Sequence, residues 1–155
     1  MLLGIDLGGT KIEGIVLESK EKPIEVIRHR VDTEEKKGYL QVVDNIKSLV
    51  EYIENKINHK FDKLGIGTPG TIDPETGLLK NSNSQCLNGK SIQKDLSETL
   101  NKIILIQNDA NCFALAETLL GSVKDQYPNA RNVFGIIMGT GVGGGVIING
   151  KTVYG

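Results

Sequence analysis

The segment Asp6-Leu7-Gly8-Gly9-Thr10-Lys11 brings together the groups needed to hold a phosphate and its magnesium ion. It offers one carboxylate, one hydroxyl, one amine and the backbone N–H groups that two glycines leave uncovered. Mostly apolar residues precede the segment at 2–5 and follow it at 12–17, which predicts a strand, a turn and a second strand. An ordinary hairpin with a Gly-Gly turn and a solvated lysine is the alternative interpretation.

A second glycine-rich segment, Gly139–Gly145, follows a predicted strand at 132–138 and precedes the apolar run at 146–148. Its spacing matches the dinucleotide fingerprint G-x-G-x-x-G, but that fingerprint requires a helix directly after the glycines. Here a strand and the hairpin sequence Asn149-Gly150 follow, which disfavours a dinucleotide-binding oxidoreductase. Two similar strand–turn–strand units suggest two related lobes that hold one nucleotide between them.

Two polar groups lie between these glycine segments. Asn108 and Asp109 follow the apolar run at 103–106 and precede a helical pattern that starts at Ala110, the usual ligand position in an open α/β sheet. Either residue could instead simply cap that helix. The polar run at 81–85 has amide side chains that can read hydroxyl groups, although Asn and Ser are also ordinary turn residues.

The remaining pattern predicts an α/β protein. A third strand at 24–31 would extend the opening pair into an antiparallel meander. A long amphipathic helix is predicted from Glu34 to Asn58, a short buried strand at 63–67, and a helix capped by Ser91 that runs to Leu100.

Composition narrows the class of protein. The chain has 155 residues, of which 39% are hydrophobic and 24% charged, and a net charge of -1. These values favour a folded domain and give no electrostatic reason to bind nucleic acid. No apolar run is long enough for a membrane span, and the N-terminus does not resemble a signal peptide. With two cysteines only, we expect a cytoplasmic protein with reduced thiols.

Six motifs in register resemble the ROK family of sugar kinases, and the resemblance covers essentially the whole chain. They are Asp6-Leu7-Gly8-Gly9-Thr10-Lys11, Gly65-Ile66-Gly67-Thr68-Pro69-Gly70, Lys80-Asn81-Ser82-Asn83, Leu87-Asn88-Gly89, Asn108-Asp109-Ala110-Asn111-Cys112 and Gly139-Thr140-Gly141-Val142-Gly143-Gly144-Gly145. The resemblance implies an actin-like ATPase (ribonuclease H-like) fold with a mixed sheet. Residues 1–131 would form the N-terminal lobe and residues 132–155 the first strands of a second lobe.

The same resemblance implies a role for each site residue. Asp6 would organise Mg²⁺ through water, and the second glycine segment would approach the phosphates of ATP through Thr140 and Gly141. Asp109 would be the catalytic base that takes the proton of a sugar hydroxyl, usually O6, and would also bind the sugar beside Asn108. The ATP phosphates would be neutralised by Gly8, Gly9, Thr10 and Lys11, and the sugar pocket would be lined by Gly70, Thr71 and Asn83.

Within the family the motifs look most like fructokinases and mannokinases, with N-acetylglucosamine kinases and glucokinases close to them. Many relatives have an aromatic residue where this chain has Cys86. The family's zinc site, a second sugar motif and most of the adenosine pocket would lie beyond Gly155, so we expect these 155 residues alone to be weakly active or inactive. The complete protein is expected to be a homodimer. A sugar-sensing ROK module without its DNA-binding segment is the alternative from another class.

Overall fold

The computed structural model describes residues 1–138 and 141–153 and has the α/β fold expected from the sequence. Thr140, expected to contact the phosphates, lies outside the described residues. The strands are β1 (Leu2–Leu7), β2 (Lys11–Leu17), β3 (Glu25–Asp32), β4 (Lys63–Thr68), β5 (Thr71–Ile72), β6 (Leu79–Lys80), β7 (Ile103–Asn108), β8 (Asn132–Met138), β9 (Val142–Ile148) and β10 (Lys151–Thr152). The helices are α1 (Tyr39–Ile57), α2 (Ile92–Leu100), α3 (Asp109–Leu119) and α4 (Ser122–Gln126).

The chain divides into two compact units, Met1–Gln107 and Asn108–Gly155. This division falls before helix α3, whereas the lobes expected from the sequence meet between residues 131 and 132. The predicted division at 131/132 separates two catalytic lobes, whereas the division observed here separates two units by their internal packing. The predicted division stays a prediction. No helix in the described part of the chain is long and apolar enough to cross a membrane.

The first unit is built on a mixed five-stranded sheet with the order β3-β2-β1-β4-β7. The first three strands form the predicted antiparallel meander, and β1 pairs with β4 in parallel. Residues of β1 alternate between the core and the opposite face, so Ile5 and Leu7 are buried while Asp6 is exposed. This alternation places the predicted magnesium residue on the face of the sheet away from the core.

Helix α1 covers the core face of this sheet. Its apolar stripe is buried as the period of 3.6 residues predicts, and the buried members are Val42, Val43, Ile46, Leu49, Val50 and Ile53. The prediction that one helix starts at Glu34 is wrong, because residues 35–37 form a 3-10 turn and α1 starts at Tyr39. Gly38, with φ 97° and ψ 176°, separates the two elements. Asn58 ends α1 in the left-handed conformation.

The second unit packs helix α3 against a three-stranded antiparallel sheet with the order β10-β9-β8. The hairpin predicted at Asn149-Gly150 is confirmed, since both residues have positive φ (49° and 76°). The prediction that residues 139–145 form one glycine turn is wrong in part. Gly143, Gly144 and Gly145 belong to strand β9 and pair with strand β8, because the backbone ladder between the two strands already begins at Val142.

Candidate functional site

The first glycine segment forms the tight hairpin between β1 and β2. The Gly8 N–H donates to the Lys11 carbonyl oxygen at 3.0 Å, directly after the last β1–β2 pair. Thr33, which is 1% exposed, holds the hairpin from the side. Its hydroxyl donates to the Gly8 carbonyl oxygen at 2.7 Å, and its N–H donates to the Thr10 carbonyl oxygen at 2.9 Å. The carbonyls of this turn are therefore held by the protein.

Asp6 lies on the strand that leads into this hairpin. It stands opposite Glu13 in the β1–β2 ladder and beside Gly67 in the β1–β4 ladder. Two carboxylates opposite each other in a sheet repel, but Arg28 and Arg30 both pair with Glu13. Burial would raise the pKa of the Glu13 carboxyl, yet the hydrogen bonds and charges of the two arginines outweigh burial and lower it. Glu13 is thus neutralised by its arginines.

Lys11 lies at the start of β2 and pairs with Asp32 of β3. The Lys11 and Asp32 side chains are 55% and 66% exposed. An exposed ion pair of this kind contributes only about 0–1 kcal/mol to stability. A phosphate group with its higher charge can therefore displace Asp32 from Lys11 at little cost.

The loop after β6, which carries Asn83, contacts the same hairpin. A Cβ atom built on Gly9 would lie 3.4 Å from the Ser84 hydroxyl oxygen and 3.8 Å from Glu35 Oε2. That Glu35 oxygen is buried and has no hydrogen-bond partner among the described residues. Asn83 itself is exposed, whereas its neighbours Ser82 and Ser84 are buried. The structure thus brings the predicted sugar loop against the predicted phosphate hairpin.

Gly70 lies between strand β4 and the β5–β6 hairpin, beside this loop, and Thr71 is the first residue of that hairpin. Gly70 adopts φ 86°, a conformation that favours glycine, and a Cβ atom on it would lie 2.9 Å from the Ser82 nitrogen. Thr71 pairs with Lys80 in the short β5–β6 ladder. These contacts place both residues next to the start of the Asn83 loop. That they line a sugar pocket stays a prediction.

The side chain of Asn88 gives the Asn83 loop its shape. Its Oδ1 accepts a hydrogen bond from the Ser82 N–H, and its Nδ2 donates to the Ser82 carbonyl oxygen, both at 2.9 Å. A cavity of about 590 Å³ lies along this loop and the β5–β6 hairpin, lined among others by Asp73, Lys80, Asn81 and Gln85. Two hydrogen bonds from one side chain thus fix the backbone of Ser82 in a loop that is rich in amide and hydroxyl groups.

Asn108 and Asp109 lie at the start of helix α3. Asn108 is the N-cap, and its Oδ1 accepts from the Ala110 and Asn111 N–H groups at 3.0 and 3.3 Å. Asp109 Oδ1 accepts from the Ala110 N–H at 2.8 Å. Asn108 fills the cap and Asp109 occupies the first helical position, so capping is compatible with the functional role predicted for Asp109, which stays a prediction. The Asp109 carboxylate thus lies at the N-terminal end of α3.

Of the predicted phosphate residues in the second glycine segment, the structure describes Gly141. It is exposed and directly precedes strand β9. The backbone of a glycine in this position can approach a ligand closely because it has no side chain.

The donor set fits magnesium that is bound together with a nucleotide. Mg²⁺ is usually held by one or two carboxylates together with water and phosphate oxygens. Asp6 supplies an exposed carboxylate one residue before Leu7 and the glycine hairpin. No group of three His, Cys, Asp or Glu side chains within residues 1–138 and 141–153 is arranged to hold a metal by itself. The residues thus match a site that is completed by phosphate oxygens.

Sequence reasoning missed two residues of this site, Thr33 and Glu35. Thr33 directly follows strand β3, which pairs with β2 up to the Lys11–Asp32 pair, and Glu35 begins the 3-10 turn two residues later. A residue just after β3 must therefore lie near the hairpin that begins β2. The pairing of strands in the meander could have indicated this position. It was missed because residues 34 and 35 were assigned to a helix.

Comparisons with known proteins identify the family. The chain is 44% identical over 151 residues to the N-acetyl-D-glucosamine kinase of Mannheimia succiniciproducens, covering 97% of this chain and 47% of that protein. Among solved structures, it matches a ROK hexokinase from Thermus thermophilus (TM-score 0.81, 29% identity, 99% of this chain and 49% of that chain).

A second solved structure is a ROK family glucokinase from Streptomyces griseus in complex with glucose and AMPPNP (TM-score 0.80, 26% identity, 99% of this chain and 46% of that chain). The chain thus spans about half the length of the relatives it matches. These structural matches agree with the actin-like ATPase fold expected from the motifs. The family model described as "ROK family" matches residues 2–155, and the chain belongs to the ROK family.

Proposed function

We propose that the protein containing this chain is an ATP-dependent sugar kinase that transfers the γ-phosphate of ATP to a hexose hydroxyl. The observation that carries the proposal is the geometry of Asp109, a carboxylate held by the Ala110 N–H at a helix start beside Asn108. The proposal is supported by relatives that are similar in sequence to this chain and are named as sugar kinases.

The β1–β2 hairpin binds the phosphates of ATP. Gly9 has no side chain that would shield the backbone of the hairpin from the phosphates, whereas the Gly8 N–H is used to close the turn on the Lys11 carbonyl oxygen. Lys11 exchanges its exposed partner Asp32 for the phosphates and neutralises their charge. Asp6 orients the magnesium ion through water. Bound Mg²⁺ supplies positive charge that offsets the charge developing on the transferred phosphoryl group. Thr140 and Gly141 contribute further phosphate contacts.

Asp109 acts as the general base. It accepts the proton of the attacking sugar hydroxyl, the terminal O6, as the bond from that oxygen to the γ-phosphorus forms and the bond from the γ-phosphorus to ADP breaks, so that ADP leaves. The Ala110 N–H donates to Asp109 Oδ1 and holds the carboxylate in place. Asn108, Gly70, Thr71 and Asn83 hold the sugar.

Among the hexoses, N-acetylglucosamine is the first substrate to test. Relatives named as N-acetyl-D-glucosamine kinases are 36–44% identical to this chain over 97–100% of its length. The match to a glucokinase structure supports glucose as the next candidate. Fructose and mannose, which the motifs first suggested, remain candidates on that resemblance alone.

The test is an ADP-release assay on the full product of the gene that encodes this chain. N-acetylglucosamine, glucose, mannose, fructose and N-acetylmannosamine are compared by kcat/KM at saturating MgATP. We expect one of these sugars to be phosphorylated, and we expect residues 1–155 alone to have weak activity or none. Sugar binding by calorimetry without ADP release would instead indicate a sugar-sensing module. Light scattering on the same sample tests the proposed homodimer.

A further inference from the structure

Strand β9 presents its three consecutive glycines to opposite faces of the sheet. A Cβ atom built on Gly143 or Gly145 would point at helix α3, whereas one built on Gly144 would lie 3.1 Å from the ring of Phe134. This alternation follows from the two-residue period of a strand. Gly143 and Gly145 therefore share a face that Gly144 does not.

Helix α3 packs so closely against the face shared by Gly143 and Gly145 that there is no room for a side chain between helix and strand. A Cβ atom on Gly145 would contact the Ala110 carbonyl oxygen, and it would lie 2.8 Å from the Ala110 carbonyl carbon and 2.9 Å from the Ala114 Cβ. On Gly143 it would lie 3.2 Å from the Ala110 Cβ. Gly135 of the neighbouring strand β8 lies on the same surface, and a Cβ atom built on it would lie 2.9 Å from the Ala114 Cβ. We call Gly135, Gly143 and Gly145 the glycine seat.

Ala110 links the glycine seat to Asp109. It is 1% exposed, and its carbonyl group rests on Gly145. Its N–H donates to Asp109 Oδ1 at 2.8 Å and to Asn108 Oδ1 at 3.0 Å. The residue that is packed on the seat is thus the same residue that holds the Asp109 carboxylate.

We propose that Gly143 and Gly145 are positioning residues for Asp109, because they set the depth of the first turn of α3 through Ala110. The proposal rests on the proposed function, in which Asp109 is the base. Any larger residue at position 145 meets the backbone of Ala110, which cannot rotate away as a side chain can. The first turn of α3 must then move, and it carries the Asp109 carboxylate with it.

The first test is Gly145→Ala in the full gene product. Misplacing a catalytic group by about 1 Å can lower the rate about 10²-fold. We therefore expect kcat to fall by about tenfold to 10²-fold, with the KM values for sugar and MgATP changed by less than about threefold. Val146→Ala is the matched control, because it alters the next residue of β9, whose side chain points to the opposite face.

A rescue experiment separates positioning from general damage to the fold. Among residues 1–138 and 141–153, apart from its own chain neighbours, the Cβ of Gly143→Ala would meet only the Cβ of Ala110 within 4 Å. Removing that atom with Ala110→Gly relieves the contact. We expect the Gly143→Ala, Ala110→Gly double variant to have a higher kcat than Gly143→Ala. A double variant that is no more active than Gly143→Ala contradicts the proposal.

Amide hydrogen exchange of Ala110 and Asn111 supplies a readout besides activity. We expect exchange to become faster in Gly145→Ala, because both amides donate to the capping Asn108, and to be unchanged in Val146→Ala. A wild-type protein without kinase activity refutes the proposed function. An active wild type with unchanged kcat in Gly145→Ala overturns the inference and leaves the proposed function standing.

Discussion

The hydroxyl of Thr33 donates a hydrogen bond of 2.7 Å to the carbonyl oxygen of Gly8, the first residue of the β1–β2 hairpin. The backbone N–H of the same threonine donates to the Thr10 carbonyl oxygen at 2.9 Å. One buried residue after β3 therefore holds two carbonyls of the hairpin. Because these carbonyls are held, the conformation of the intervening N–H groups is set before a ligand binds.

Replacing Thr33 with valine tests this arrangement. Thr33→Val keeps the shape of the side chain but removes its donor, and we expect the free energy of unfolding to fall by about 1 kcal/mol. We also expect the KM for MgATP to rise more than the KM for sugar. Thr33→Ser, which keeps the hydroxyl, is the control, and denaturant unfolding with steady-state kinetics are the measurements. Equal effects of both variants would argue against the hydrogen bond.

The pair of Lys11 with Asp32 predicts opposite effects for its two members. Lys11→Ala removes a cation from the hairpin, so we expect the KM for MgATP to rise while the KM for sugar stays nearly constant. Asp32→Asn removes the competing anion, so we expect the KM for MgATP to fall or stay unchanged. Initial rates at varied MgATP and low salt measure both. A larger effect of Lys11→Ala on the sugar KM would contradict the assignment.

Asp109→Ala tests the base directly. We expect kcat to fall by about 10²–10⁴ with a modest change in KM, because proton transfer is lost while binding is kept. Asp109→Asn retains an acceptor for the Ala110 N–H and serves as the shape-matched variant. It should unfold at nearly the wild-type temperature and still be as inactive as the alanine variant. A kcat near the wild-type value in either variant would end the role of Asp109 as base.

Glu54 of α1 anchors the helix to two loops of the first unit. The side chain is 3% exposed, and its Oε1 receives the Lys102 ammonium at 2.8 Å and the Phe61 N–H at 2.9 Å. Lys102 is itself only 11% exposed. Glu54→Gln leaves that ammonium without its countercharge, and we expect the free energy of unfolding to fall by about 3 kcal/mol. Lys60→Met removes only an exposed partner of Glu54 and should cost about 0–1 kcal/mol.

The same residue predicts a pH dependence of stability. Burial would raise the pKa of the Glu54 carboxyl, but hydrogen bonds from Lys102, the Phe61 N–H and Lys60 outweigh burial and lower it below its ordinary value of 4.5. A lowered pKa stabilises the folded state above pH 4.5, and this stabilisation is lost as the pH falls through the lowered pKa. Denaturant unfolding at decreasing pH should therefore show a shallower loss of stability in Glu54→Gln than in the wild type.

The environment of the Cys86 thiol predicts low reactivity. Burial raises its pKa, and the negative charge of Glu35 raises it further, while Lys90 opposes both. The thiolate is the reactive form, so we expect slow alkylation by iodoacetamide at neutral pH. In a Cys112→Ser background, Glu35→Gln should speed alkylation and Lys90→Met should slow it. An unchanged alkylation rate in Glu35→Gln would show that the charge of Glu35 does not affect the reactivity of Cys86.

Much of this fold could be predicted from the sequence, because the relevant patterns are local. The apolar spacing in α1 and the alternation in β1 follow directly from the periods of a helix and a strand. Asn149-Gly150 specifies its hairpin because both residues tolerate positive φ. The place of Asp109 after an apolar strand and before a helix also follows from neighbouring residues alone, whereas the burial expected for that strand is wrong, since Ile103 and Leu105 are exposed at the edge of the sheet.

The tertiary structure decided what depends on residues distant in sequence. The contact of Thr33 with Gly8 spans 25 residues and exists because β3 returns to the hairpin through β2. From composition alone, the glycines of β9 were expected to belong to a turn. Two of them instead belong to the glycine seat, because helix α3 packs against them without room for a Cβ atom. Local patterns specify backbone conformation. Whether a glycine is needed in a strand depends on which other element packs against that strand, and this packing involves residues that are distant in the sequence.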